Sequence, residues 1–215
     1  NIIKDSVGNG GITNIREENI INGGTLTILG GTFTSERKTS ITNNGTVTLK
    51  DGNLISQTTY GLSGGTLKID GGTITGLGGV SCSNYTQNGG TVTSTTTAAG
   101  VNVNDSSAII NGGTIISEGG YGLSVSNSYY GSASSTVNGG TIIGKTRGIN
   151  ISGNRSTVRV TGGEIEGQTE TGITNGSTLI MSGGHVNGKT NGINTTGNTQ
   201  ITGGVVEGEQ YGVYT

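Results

Sequence analysis

Apolar residues in this chain recur in a three-part pattern, anchored on small doublets. The doublets are Gly30-Gly31, Asp51-Gly52, Gly71-Gly72, Gly89-Gly90, Gly112-Gly113, Gly139-Gly140, Gly162-Gly163, Gly183-Gly184 and Gly203-Gly204. Their second residues lie 21, 20, 18, 23, 27, 23, 21 and 20 positions apart. Two places before each doublet stands Ile28, Leu49, Ile69, Gln87, Ile110, Val137, Val160, Met181 or Ile201. Two places after it stands Phe33, Leu54, Ile74, Val92, Ile115, Ile142, Ile165, Val186 or Val206. A third set, usually behind a glycine, is Ile41, Leu62, Val80, Val101, Leu123, Ile149, Ile173, Ile193 and Val213. Only Gln87 breaks the apolar rule. Around these positions apolar and polar residues alternate, as in Leu26-Thr27-Ile28 and Leu67-Lys68-Ile69. Alternation by two is the mark of a strand with one buried face.

Three short strands and three corners account for about 22 residues, and such a period marks stacked supersecondary units. The predicted fold is all-β: a right-handed parallel β-helix of about nine rungs, three strands to the rung. Turn lengths varying from 18 to 27 residues favour right-handed coiling over left-handed hexapeptide solenoids, which keep a strict repeat. Residues 22–215 form the repeat domain, and residues 1–21 an irregular first rung or amino-terminal edge, with Val7, Ile12 and Ile15 as candidate inward positions. The chain stops within a turn at Tyr211–Thr215, so it reads as a section of a longer rod or as one that stacks end to end with neighbours.

Composition agrees and excludes alternatives. Glycine supplies 45 of 215 residues, proline and tryptophan none, and charged residues only 11%. Without proline there is no collagen helix, and a net charge of −2 argues against a disordered, charge-rich tail. No apolar run approaches the length needed for a transmembrane helix, so no membrane insertion is expected. The 11 Lys and Arg are scattered, so no nucleic-acid partner is expected. The single Cys82 rules out a disulfide framework and a thiolate zinc site. Its parity with Val80 predicts burial.

Candidate chemistry is sparse. Asp70, Asn88, Asn111 and Asn138 precede consecutive doublets and predict a side-chain hydrogen-bond ladder up one corner, a structural role. Thr32, Asn53, Thr73, Thr91, Thr114 and Thr141 form an outward column that suits a pleated, solvated surface. The longest turn adds a loop carrying Tyr129 and Tyr130, a surface that stacks on sugars or on a partner. Glu164 and Glu166 share one rung, His185 and Asn187 the next, and Glu207 the one after. Glu166 and Glu207 then stand two rungs apart, about 9.5 Å at strand spacing, the wide edge of the separation used by inverting glycosidases. A flat strand face offers no cleft to tune them, so Glu164, Glu166, His185 and Glu207 read as a binding patch, a surface cation site at most. No catalytic residue, metal or cofactor is assigned.

The blocks Ile69–Gly76 (IDGGTITG), Val137–Gly144 (VNGGTIIG) and Ile201–Gly208 (ITGGVVEG) resemble the pectin-lyase-like β-helix regions of bacterial cell-wall adhesins and autotransporter passengers. That resemblance spans about residues 22–215 and implies a secreted or cell-surface location, a stalk or adhesive role, and host or cell-wall glycans or proteins as partners. The catalytic motifs of the pectin-degrading branch are missing. The expected function is therefore a non-enzymatic structural and adhesion module. The alternative is a carbohydrate-binding or polysaccharide-degrading β-helix.

Overall fold

A computed structural model describes residues 2–3, 11–14 and 18–215. Among the described residues, thirty short strands pass in rotation onto three sheets of ten strands each, every pair parallel, and there is no helix. One turn illustrates the path: Thr66–Ile69 joins the first sheet, Thr73–Gly76 the second and Gly78–Ser81 the third. The next turn repeats it with Asn84–Gln87, Thr91–Ser94 and Val101–Asn104. The chain is a parallel β-helix with three strands per turn. Among the described residues no helix is long and apolar enough to cross a membrane.

Registers follow the sequence columns. Leu49 pairs with Ile69, Ile69 with Gln87 and Gln87 with Ile110 on the first sheet. Leu54, Ile74, Val92 and Ile115 stack likewise on the second, and Leu62, Val80, Val101 and Leu123 on the third. All three columns are buried along their length except in the last turn, where Ile201 and Val213 are exposed and Val206 is partly covered. Ile2–Ile3, Gly11–Asn14 and Ile20–Asn22 add one further strand to each sheet. Ile3 pairs with Ile28, Ile12 with Phe33 and Ile20 with Ile41. Val7 and Ile15 lie outside the described residues.

Two kinds of glycine shape each turn. The second residue of every doublet has a left-handed φ, between 71° and 102°, a conformation that costs a Cβ-bearing residue about 1–2 kcal/mol. The glycine ahead of the third strand acts differently. A Cβ on Gly148 would lie 2.6 Å from Ile165 Cγ2, and one on Gly122 2.6 Å from Ile142 Cγ2. This glycine lets the third strand close against the β-branched side chain on the second strand of the next turn. In the turn where Ser40 replaces it, the equivalent residue of the next turn is Leu54, which is not β-branched, and Ser40 Oγ donates to the Phe33 carbonyl at 2.9 Å.

The exception at Gln87 has a partner. Tyr85, wholly buried two residues earlier, donates its hydroxyl to Gln87 Oε1 at 2.7 Å. Gln87 Nε2 donates in turn to the carbonyls of Gly90 and Thr114 at 3.2 and 3.3 Å. Tyr85 fits because the residue stacked on it is Ala108. A further set of inward residues sits at the corner from third to first sheet. There Asn22 and Asn43 are buried and joined at 2.8 Å, and Asn175 donates to Thr195 Oγ1 at 3.1 Å.

Outside, the corner before the doublets carries a continuous ladder. Asn88 Nδ2 donates to Asp70 Oδ1 at 2.7 Å, Asn111 to Asn88 at 2.8 Å and Asn138 to Asn111 at 2.8 Å. Thr161 Oγ1 donates to Asn138 Oδ1 at 2.8 Å. Asp70 also accepts from Lys50, and Lys68 stands 3.3 Å away. The Lys50 and Asn88 hydrogen bonds to its charged form hold the Asp70 carboxyl down to about 2.

Replacing Gln87 by Leu strands the Tyr85 hydroxyl in an apolar interior. It should lower stability by about 1–3 kcal/mol, and adding Tyr85→Phe should recover most of that loss in urea unfolding. For Asp70 the folded pKa lies below the unfolded one, so its contribution is complete above the ordinary carboxyl pKa and is lost as pH falls toward about 2. Thermal melts between pH 4.5 and 2, as about the window where this acts, should show a smaller acid loss for Asp70→Asn than for the native chain.

Candidate functional site

The acidic and histidine residues lie on the outer face of the second sheet, on strands Glu164–Gly167, His185–Gly188 and Val205–Gly208. Their registers are Glu164 to His185 to Val205 in one column and Glu166 to Asn187 to Glu207 in the next. Strand alternation turns these positions outward while Ile165, Val186 and Val206 point into the rod. Side chains then depart from the vertical columns. His185 Nδ1 is 2.7 Å from Glu164 Oε1, and its Nε2 is 2.8 Å from Glu207 Oε2 in the adjacent column. The imidazole therefore bridges two carboxylates, one from the turn before its own and one from the turn after.

That bridge has a proton requirement. A neutral imidazole has one N–H, and two ionised carboxylates only accept. Both contacts are hydrogen bonds only when the ring is an imidazolium. The Glu207 hydrogen bond raises the His185 pKa above its ordinary 6.5 against the opposing desolvation, with the charge of Glu164 adding to the rise. The three side chains remain about one-third to three-fifths exposed, so the cluster is screened by solvent.

Glu166 is not drawn into this cluster. Glu207 leans toward His185, so the two carboxylates of that column do not face a common substrate position. Beside Glu166 is a shallow depression of about 120 Å³, lined also by Gln168, Asn187, Lys189 and Glu209. It has room for a few water molecules, and Lys189 pairs with Glu209 at its rim. Among the described residues no three His, Cys, Asp or Glu side chains converge as metal ligands. A cation site on Glu164, Glu166 and His185 is not assembled, because the ring stands between carboxylates instead of sharing a centre with them.

Tyr129 and Tyr130 occupy a different face, the corner between third and first sheets that follows strand Tyr121–Ser126. They are 78% and 86% exposed, with ring centroids 4.8 Å apart in an edge-to-face pair. They leave the rod's flank uncovered. The loop beneath them is held at its end, where Ala133 N donates to the Arg155 carbonyl at 3.3 Å, and at its start. Ser128 N donates to Asp105 Oδ1 at 2.8 Å, and Arg155 N and Ser156 Oγ donate to Asn127 Oδ1 at 2.9 and 3.0 Å. Asp105, which sits in the left-handed region at φ 52°, fills the space beside Gly131.

The threonine column of the second sheet has a counterpart on the first, where Thr25, Thr46 and Thr66 stack, as do Thr157 and Thr178. Its presence on two faces assigns it to strand propensity. Cys82 is buried, and desolvation pushes its thiol up to about 12. Sequence columns also passed over Arg147. It donates to Glu170 at 3.1 Å and to Asn150 at 3.1 Å, and lies 5.3 Å from the centre of the Tyr121 ring. Arg147 and Tyr121 are register partners, which a column alignment of the third strand does contain.

No protein-family model, curated protein or solved structure matches this chain.

The His185 bridge makes a pH-dependent contribution whose sign is set by the raised pKa. Its stabilisation is full below about 6.5 and is lost as pH rises through the higher folded value. Between pH 6 and 9, as about the span that brackets this titration, the native chain should lose a small part of its thermal stability. The expected size is under about 1 kcal/mol, and His185→Gln should flatten the profile.

Proposed function

We propose that this chain is a non-enzymatic structural and adhesive module of a bacterial surface protein or filament, working outside the cell. Its partners are glycans or proteins of a host or a cell wall. The observation that carries this reading is the pinned corner loop, which holds two tyrosines almost fully in solvent. Exposing two large aromatics forfeits the burial that the rest of the chain obtains, and binding a partner restores it. The remaining architecture suits such a role. Self-stacked side chains fill the interior, so recognition has to occur on the outside. A rod also lengthens by adding turns without enlarging its core.

A second reading, a β-helix that binds or degrades carbohydrate, is favoured by the same aromatic pair and by the unpaired Glu166. The two are separable. Tyr129→Ala with Tyr130→Ala should lower adhesion to glycan- or protein-coated surfaces by about tenfold or more, with an unchanged melting temperature. Undiminished adhesion would remove the loop from the account. Shortening of a polysaccharide on incubation, abolished by Glu166→Gln, would establish the enzymatic alternative.

A further inference from the structure

A step at the corner from third to first sheet leaves a notch in the rod. Two residues join Ser63 to Thr66 and two join Ser81 to Asn84, whereas four join Asn102, the register partner of Ser81, to Ser107. Beside the wider turn lies a recess of about 440 Å³, lined by Tyr60, Ser63, Gly64, Ser81, Cys82, Ser83 and Asn104. That volume lies in the range of small-molecule sites. It spans three turns, because Tyr60 pairs with Gly78, Ser63 with Ser81, and Ser81 with Asn102.

Its walls are specific. The Tyr60 ring is seated on Gly78, where an added Cβ would lie 2.4 Å from Tyr60 Cε1. The hydroxyls of Ser63, Ser81 and Ser83 make no hydrogen bond within the protein among the described residues. Asn104 accepts from Ser126 Oγ at 3.0 Å through its Oδ1, which leaves its amide N–H groups free. An aromatic ring beside several unengaged hydroxyl and amide groups matches a sugar, whose C–H faces stack while its hydroxyls hydrogen-bond. No Asp, Glu, Lys, Arg or His lines the recess, so nothing there selects a uronic or sialic acid. Asn104 pairs with Ser126, the residue that leads into the Tyr129-Tyr130 loop. From the Tyr60 turn to that loop is three strand spacings, about 14 Å along the rod, and Gly64, Cys82 and Ser83 lie on the corner that the loop extends.

We propose that this recess holds one residue of a neutral glycan on Tyr60, hydrogen-bonded by Ser63, Ser81, Ser83 and Asn104, and that the glycan chain continues along the corner toward Tyr129 and Tyr130. This rests on the reading of the chain as an adhesive module and names its ligand class and principal site.

The test is a printed array of neutral and acidic glycans, followed by titration calorimetry with malto-, cello- and chito-oligosaccharides of increasing length. Neutral glycans should bind, and affinity should rise with chain length. Ser81→Phe, which fills the recess, should raise Kd about tenfold or more, a loss of about 1.4 kcal/mol. Should that variant fail to fold, Ser63→Ala with Ser83→Ala removes two hydroxyls without adding bulk and should still weaken binding several-fold. Tyr129→Ala with Tyr130→Ala should remove the gain from longer chains and leave the shortest ligand unaffected. Binding confined to acidic glycans, or an unchanged Kd in both recess variants, would overturn the site. Intact adhesion to a protein surface with no glycan bound would also overturn it, while sparing the adhesive reading. A glycan bound through the recess but cleaved would support the site and overturn the non-enzymatic reading beneath it.

Discussion

Backbone hydrogen bonding between successive turns sets the terms for everything else in this molecule. Each strand is bound to the strand about 22 residues before and after it, so each side chain lies against its own counterparts. A residue that suits its own turn must also suit the turn above and the turn below. Aliphatic columns satisfy this readily, because identical branched side chains interlock. A large or polar residue inside the rod needs an arranged neighbour. Tyr85 beside Ala108 and Gln87 beneath the Tyr85 hydroxyl show how one such departure is accommodated.

Corners carry less of this burden, and variation gathers there. The second sheet keeps four-residue strands almost throughout, whereas the passage from third to first sheet ranges from two residues after Ser81 to six after Ser126. The step from two residues after Ser81 to four after its partner Asn102 lies beside the recess, and lengthening after Ser126 raises the tyrosine loop. Both lie on one corner, so the features with the most recognition chemistry are close in space, though about 70 residues separate Tyr60 from Tyr129.

The period, the three inward columns and the strand assignments were readable because each depends on one turn repeated. Nine doublets and nine of each apolar set leave little choice of register. Features that depend on a difference between turns were harder to read. Spacing alone did not connect Tyr85 with Gln87, since the pair is local while its volume is balanced by Ala108 one turn away. His185 was placed correctly in its column, yet its bond to Glu207 runs diagonally, and column alignment has no term for a side chain that leans sideways. The glycine ahead of the third strand was visible as a letter. Its reason, the Cγ2 of Ile142 or Ile165 packed against it, exists only across the rod's interior. The recess depends on where within a turn residues are added, which a turn length does not state.

The amide ladder has an orientation as well as a position. A carboxylate can only accept, so Asp70 obliges Asn88 to offer its nitrogen, and each asparagine above must then turn the same way. The aligned amides form a small axial dipole with its positive end against an anion, much as a helix begins on an acidic cap. One acidic side chain thus gives an otherwise repetitive edge a head and a tail.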